Sequence, residues 1–172
     1  MKDSDIPEVK LISVILSRCL QDSAFRAALK KADNPDTEYQ SWEYLASYGV
    51  NLEFAERRYP YTTVFSAAAR SGRSNDGHLK FGIALLRVYE NDRESVPAKS
   101  RLRRVLSCNT TEELCLIIRP VLKFIASKEI PISYGLLLRD LKYFGVHPDK
   151  TKASWAQQFF GMDPNENQEE AV

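Results

Sequence analysis

The chain has 172 residues, 44% of them hydrophobic and 27% charged, which suits one domain or two small bundles that share an interface. Seven glycines are few for an all-β fold of this size, and no run approaches the roughly 18 apolar residues of a membrane span. The net charge is only +1, but residues 57–104 hold eleven Lys or Arg against four Asp or Glu, a surplus of +7. Such a local surplus attracts polyanions whatever the total charge.

The acidic residues are concentrated elsewhere. Residues 1–56 hold six basic against ten acidic side chains, and residues 162–172 hold none against four, so each segment sums to −4. The apolar stretch from Leu11 to Leu20 is interrupted by polar residues and follows acidic ones, which argues against a signal peptide. Three cysteines without metal-ligand spacing indicate reduced thiols, so we expect a cytoplasmic protein.

Apolar residues recur at three- and four-residue steps along most of the chain, which predicts an all-α fold of about eight or nine helices. In chain order the predicted helices cover about 8–20, 22–32, 37–48, 61–70, 78–90, 95–106, 111–127, 134–144 and 148–160. Residues 51–58 are compatible with a short helix or a loop. The Tyr59-Pro60-Tyr61 segment is expected to break the chain before the fourth helix.

Two polar segments divide this pattern. Residues 71–77 are rich in glycine and small polar side chains, so we expect a mobile loop that buries nothing. Residues 91–94 form a polar hinge, at which we place a boundary between an N-terminal bundle (1–93) and a C-terminal bundle (94–161). The acidic tail, 162–172, is expected to be disordered.

The helix at 111–127 is apolar on nearly all sides and should therefore be central. Thr110 and Glu113 form a capping box, in which the Glu113 carboxylate is expected to accept from the Thr110 amide. Pro120 lies inside the helix and should kink it.

The strongest functional signal is the basic helix at 95–106. At 100° per residue, its apolar residues occupy one third of the circumference and its cations nearly all the rest. Ala98, Leu102, Val105 and Leu106 form the apolar sector. Lys99, Arg101, Arg103 and Arg104 are the cations. An arginine-rich face of this kind suits phosphate, with steep salt dependence and little sequence preference. A membrane surface is less suited, because the apolar side offers no Trp or Phe for insertion.

The helix at 134–144 carries a second basic sector, Arg139 and Lys142. Asp140 falls among its apolar positions, where a carboxylate needs a partner. We therefore interpret Asp140 as a structural acid bonded to an arginine, with Arg119 as the candidate partner.

The sequence lacks the patterns of an enzyme. His78 and His147 fit no metal motif, and phosphate-binding and nucleophile motifs are missing. The Glu112-Glu113 pair is better explained by helix capping than by metal-dependent nuclease chemistry. We predict no catalytic residues, no metal and no cofactor.

Residues 133–160 have the lengths of a helix–turn–helix, which makes a DNA-binding regulator one alternative. Trp155, Phe159 and Phe160 on the would-be recognition helix look like core residues, which favours helical packing. A second alternative is a helical adaptor whose basic face binds an acidic protein partner.

Several segments together resemble the small subunit of the type I-E CRISPR Cascade complex, the CasB family. They are Phe25-Arg26-Ala27-Ala28-Leu29, 77–85, 100–106, 112–114, 118–122, 130–134, 138–141 and 155–160. No single segment is diagnostic, but their order and spacing over residues 22–160 are specific. The first 20 residues and the acidic tail have no counterpart that we can place.

The resemblance implies an elongated, all-helical protein of two small bundles without catalytic activity. Two copies of such a subunit lie along a guide-RNA ribonucleoprotein, where they contact its backbone and large subunits. They help to hold the guide RNA–target DNA heteroduplex and the displaced strand.

The resemblance also implies which residues face phosphate. Matching positions are Arg101, Arg104, Arg119 and Arg139. Helix geometry adds Lys99, Arg103, Lys123 and Lys142. Arg70, Arg73 and Lys80 are further candidates, at a loop whose length varies in the family. Asp140, Trp155 and Phe159 are expected to be structural.

Overall fold

The computed structural model describes residues 2–161, and the predicted disordered tail at 162–172 lies outside them. Within this range there are nine α-helices and two short 3-10 helices, Asp3–Asp5 and Glu38–Ser41. The α-helices are α1 (Pro7–Gln21), α2 (Ser23–Lys31), α3 (Trp42–Ser47), α4 (Ala55–Ser71), α5 (Phe81–Val88), α6 (Val96–Leu106), α7 (Thr111–Ser127), α8 (Tyr134–Phe144) and α9 (Pro148–Phe160). The prediction of an all-α fold with about nine helices is confirmed.

The helices pack around α4 and α7, which form the most extensive contact between two helices of the described chain. α1 packs on α4 and α8, α2 on α4, and α5 on α9. One cluster of buried apolar side chains runs from Ile12 in α1 to Phe159 in α9. The predicted division into two bundles, 1–93 and 94–161, stays a prediction, and helices from both segments contribute to this cluster.

The predicted break at residues 59–61 is wrong, because α4 begins at Ala55 and continues through Pro60. Residues 51–54 are not helical, so the uncertain segment 51–58 divides between loop and helix. Pro60 is the sixth residue of α4, and it is buried against its neighbours. A proline inside a helix lacks its amide donor and its ring crowds the carbonyl four residues before it, and here tertiary packing stabilises the helix despite that cost.

The loop at 71–77 is anchored to the start of α8 through Asp76, a contact that the expectation of a loop burying nothing did not include, while its mobility stays a prediction. The Asp76 carboxylate accepts from the amides of Tyr134 (2.7 Å) and Gly135 (3.0 Å), and from the Ser133 hydroxyl (3.0 Å). The backbone after the loop then pairs with residues 131–133 through an isolated bridge between Leu79 and Ile132. This pairing explains why α5 begins at Phe81, three residues later than predicted.

Local capping follows the sequence closely. Asp22, Ser95, Thr110 and Ser133 each accept from the amide three residues ahead, at the starts of α2, α6, α7 and α8. One detail differs, since the Glu113 carboxylate accepts from the Asn109 amide (3.0 Å) rather than from that of Thr110. α7 continues through Pro120 as one helix to Ser127.

Candidate nucleic-acid interface

Helix α6 is held by its apolar sector and presents its arginines to solvent. Ala98, Leu102 and Val105 are at most 1% exposed. Arg101, Arg103 and Arg104 are exposed, as the helical spacing predicts. The amphipathic pattern thus fixes the helix in place while three guanidinium groups stay available to a ligand.

The cations of α6 differ in how firmly they are held, and Lys99 is only partly exposed. Arg101 lies over the Phe124 ring of α7, 4.8 Å from its centre, and Lys99 forms a 2.6 Å ion pair with Glu94. Arg103 and Arg104 form no salt bridge with any residue between 2 and 161. Because Glu94 is almost fully exposed, its pairing with Lys99 is weak and a phosphate can displace it.

Arg101 and Arg104 line a groove of about 110 Å³ between α6 and α7. Apolar side chains, including Leu116 and Pro120, form much of its wall. Lys123 lies one helical turn beyond Pro120 and is half exposed, so it extends the same surface along α7. We call the surface of Arg101, Arg103, Arg104 and Lys123 the basic strip.

Beyond Lys123 the strip meets an acidic residue, Asp33, at the end of α2. Lys123 Nζ lies 2.5 Å and Arg70 Nη1 3.3 Å from the same Asp33 oxygen, Oδ2. Arg70 and Lys123, 53 residues apart in the chain, are therefore brought together. Asp33, which joins them, was not anticipated.

The expectation that Arg119 faces phosphate is wrong, because its side chain is buried in the interior. The residue is only 6% exposed, and its guanidinium donates to the hydroxyls of Thr62 and Thr63 and to the Asp33 carbonyl. Burial lowers the pKa of Arg119 from its usual value, although the side chain stays charged. Its observed contacts join α7 to α4 and to the end of α2.

Asp140 is half-buried, and its partner is Trp155 instead of the predicted Arg119. Trp155 Nε1 donates to Asp140 Oδ2 at 2.8 Å, and the Trp155 side chain is fully buried. Burial raises the pKa of Asp140, while the indole and the positive charges of Arg139 and Lys80 oppose that rise. Arg139 and Lys80 therefore share one neighbourhood, around the Asp140 carboxylate.

The remaining basic candidates have protein contacts of their own. Lys142 forms a 2.7 Å ion pair with Glu8 and lies over the Tyr61 ring. It lines an open cleft of about 520 Å³ between α4 and the end of α8. Arg73 donates to the Asn75 carbonyl within its own loop, at 3.4 Å.

Helix α9 serves the core through two of its three large aromatic residues. Phe159, like Trp155, is fully buried, and Phe81 of α5 packs against Trp155 with ring centres 4.5 Å apart. Phe160, expected to be a core residue, is 47% exposed and contacts the Phe159 ring from outside. The packing of α9 favours a structural helix over a DNA-recognition helix.

Residues 2–161 contain no group of three or more His, Cys, Asp or Glu side chains placed to hold a metal ion. None of the described helices is both long and apolar enough to cross a membrane.

The decisive comparison is with protein families. Residues 25–160 match the family model of the CRISPR-associated protein Cse2. The chain belongs to the Cse2 family. This confirms the sequence-based resemblance, since the Cse2 family is the small-subunit family of type I-E Cascade.

A solved structure agrees with this assignment at the level of fold. The chain is similar to a chain of a "CRISPR RNA-guided surveillance complex", with a TM-score of 0.65 and 19% sequence identity. The alignment covers 90% of this chain and 91% of the other. No curated protein sequence matches. As a Cse2-family protein, the chain is a Cascade subunit.

Proposed function

We propose that this Cascade subunit is non-catalytic and binds nucleic acid through the basic strip, stabilising the guide RNA–target DNA heteroduplex and the displaced strand in antiviral defence. The observation that carries the proposal is α6, whose apolar sector is buried while Arg101, Arg103 and Arg104 face solvent. Guanidinium groups suit phosphate oxygens through paired hydrogen bonds.

The energetics of strand exchange suit such a role. Replacing a DNA duplex by a guide–target heteroduplex is nearly balanced in free energy, so contacts to the phosphate backbone can decide the outcome. Contacts of this kind need no catalytic group and read no sequence. None of the described residues that line the groove beside Arg101 and Arg104 is aromatic, which supports contact with the backbone over base stacking.

Membership of the Cse2 family supports a proposal for the partners. Guide RNA and target DNA would meet the basic strip, while other surfaces contact the Cascade backbone and large subunits and a second copy of this chain. We include Arg70, Arg73, Lys80, Lys99, Arg139 and Lys142 as weaker candidates, since they lie outside the basic strip. Arg70, Lys99 and Lys142 are engaged with carboxylates, as Lys123 of the strip also is.

The first test measures binding of the isolated protein to single-stranded DNA at several salt concentrations. Changing Lys99, Arg101, Arg103 and Arg104 together to Ala should lower affinity at least about tenfold and reduce the salt slope by about 0.7 per lost phosphate contact. The matched control changes Lys2, Lys10, Arg57 and Lys150 to Ala, since these are also exposed and remove the same charge.

Equal losses in the two variants would show that only net charge matters, and they would contradict the proposal. Co-purification from the native host separates the adaptor alternative, which requires an acidic partner and no short RNA of uniform length. Selective binding to one duplex sequence by a dimer would instead favour the helix–turn–helix alternative.

A further inference from the structure

Three cations converge on Asp33, which supplies the only carboxylate among the described side chains in that cluster. Lys123 and Arg70 share its Oδ2 atom, and Arg119 donates to its carbonyl. These four groups sum to a formal charge of +2, and Glu38, whose charge also acts on Arg119, is itself paired with Arg58. A cavity of about 10 Å³ lies among these side chains and adds no neutralising group.

The exposure of the cluster is uneven. The side chains of Lys123 and Arg70 are 52% and 35% exposed, whereas that of Asp33 is 14% exposed. Arg119 is buried beneath them. An anion that approaches from solvent therefore reaches the two outer cations before it reaches the carboxylate.

From this arrangement we propose that Arg70 and Lys123 form a second phosphate-binding site, whose affinity for nucleic acid is held down by the Asp33 carboxylate. One oxygen shared by an ammonium and a guanidinium is a geometry that a backbone phosphate oxygen also offers. A bound phosphate takes over one or both contacts from Asp33. The inference rests on the proposed function, which it deepens by naming a further subsite and the residue that attenuates it.

The position of the cluster supports nucleic acid as the source of that phosphate. Lys123 follows Pro120 by one helical turn, about 4.5 Å of rise, and Pro120 lines the groove with Arg101 and Arg104. A nucleic-acid strand that binds along α6 can therefore extend to Lys123 and Arg70.

The test compares neutral variants of two nearby aspartates. Asp33→Asn removes the attenuating charge but keeps an oxygen acceptor, and we expect affinity for a single-stranded DNA oligonucleotide to rise about three- to tenfold, with a steeper salt slope. Asp36→Asn removes the same charge from an exposed residue that forms no salt bridge with residues 2–161, and should change affinity less than twofold.

A third variant assigns the gain to the two cations. In the combined Asp33→Asn, Arg70→Ala, Lys123→Ala protein, the gain should disappear. Unchanged affinity in Asp33→Asn, an equal gain in Asp36→Asn, or a gain that survives the loss of both cations would each overturn the proposal.

A measurement on the wild-type protein tests the same site without requiring that a variant folds correctly. The NMR signal of the Lys123 ammonium group should shift when the oligonucleotide is added, as Asp33 is exchanged for phosphate. A signal that stays unchanged at saturating oligonucleotide would overturn the proposal.

The experiments distinguish an error in the Asp33 site from an error in the proposed function. If the α6 quadruple variant binds DNA as well as the wild type, the proposed function fails. If that variant loses binding while Asp33→Asn gains none, only the Asp33 site fails.

Discussion

At the scale of single residues, burial separates arginines that the sequence alone treats as equivalent. Arg103 and Arg119 were both expected to face phosphate, yet Arg103 is exposed and Arg119 is buried against α4. The difference depends on the Thr62 and Thr63 hydroxyls, which lie more than fifty residues away in the chain. Helical spacing alone does not reveal partners at that separation.

Replacing Arg119 should therefore affect the stability of the fold, whereas replacing Arg103 should affect DNA binding. Arg119→Ala leaves buried hydroxyl and carbonyl groups without their donor, and should lower the free energy of unfolding by about 3 kcal/mol. Arg103→Ala should change it by no more than about 0.5 kcal/mol while weakening DNA binding. Urea unfolding and DNA titration of both variants check this, and a stable Arg119→Ala protein with weakened binding would restore the phosphate-facing interpretation.

Asp140 provides a prediction about pH. The pKa of Asp140 is raised in the folded protein because burial disfavours the charged carboxylate. The contribution of this group to stability is therefore fully present below the ordinary carboxyl pKa. That contribution is lost as pH rises through the raised pKa, when a charge is created in a buried site. Asn in place of Asp140 has no such titration and can still accept from Trp155.

The difference in the free energy of unfolding between Asp140→Asn and wild type should therefore shift in favour of the variant as pH rises from 3 to 7. Denaturant titrations at several pH values measure it, with Asp149→Asn as a control on an exposed carboxylate. A difference that does not vary with pH would contradict the burial of an ionising Asp140.

At the scale of elements, the sequence predicts helices well where the determining groups are local. The caps at Asp22, Ser95, Thr110 and Ser133, and the buried sector of α6, all depend on residues within one or two turns. The prediction fails at residues 59–61 and 71–77, where contacts distant in sequence decide the structure. Asp33 was missed for the same reason, since its two cations belong to α4 and α7.

The Asp76 anchor can be tested through the loop it holds. Asp76→Ala removes the acceptor for two amides and one hydroxyl at the start of α8, and should cost about 2–3 kcal/mol of stability. Amide hydrogen exchange should accelerate at residues 77–79 and 133–135, while α2 is unaffected. If the amides of residues 77–79 and 133–135 exchange at the same rate in Asp76→Ala as in the wild type, the loop is held by other contacts.

At the scale of the whole molecule, a net charge of +1 conceals a separation of signs along the chain. The dense end of the +7 segment folds into α6, and Lys123 and Arg70 extend its cations across α7 to α4. The family and the all-α fold could be predicted from sequence patterns, because those patterns recur over most of the chain. The boundary of the basic surface could not be predicted from the sequence, because it depends on which cations form ion pairs with Asp33, Glu8 or Glu94 in the folded chain.

The central claim is that the basic strip stabilises DNA opened by a guide RNA. The most direct measurement is the lifetime of the R-loop formed by an assembled Cascade complex that carries this subunit. With Lys99, Arg101, Arg103 and Arg104 changed to Ala, the complex should assemble normally but lose its target about tenfold faster, and more so at high salt. An R-loop lifetime equal to that of the wild type and of the Lys2, Lys10, Arg57, Lys150 control would contradict the account.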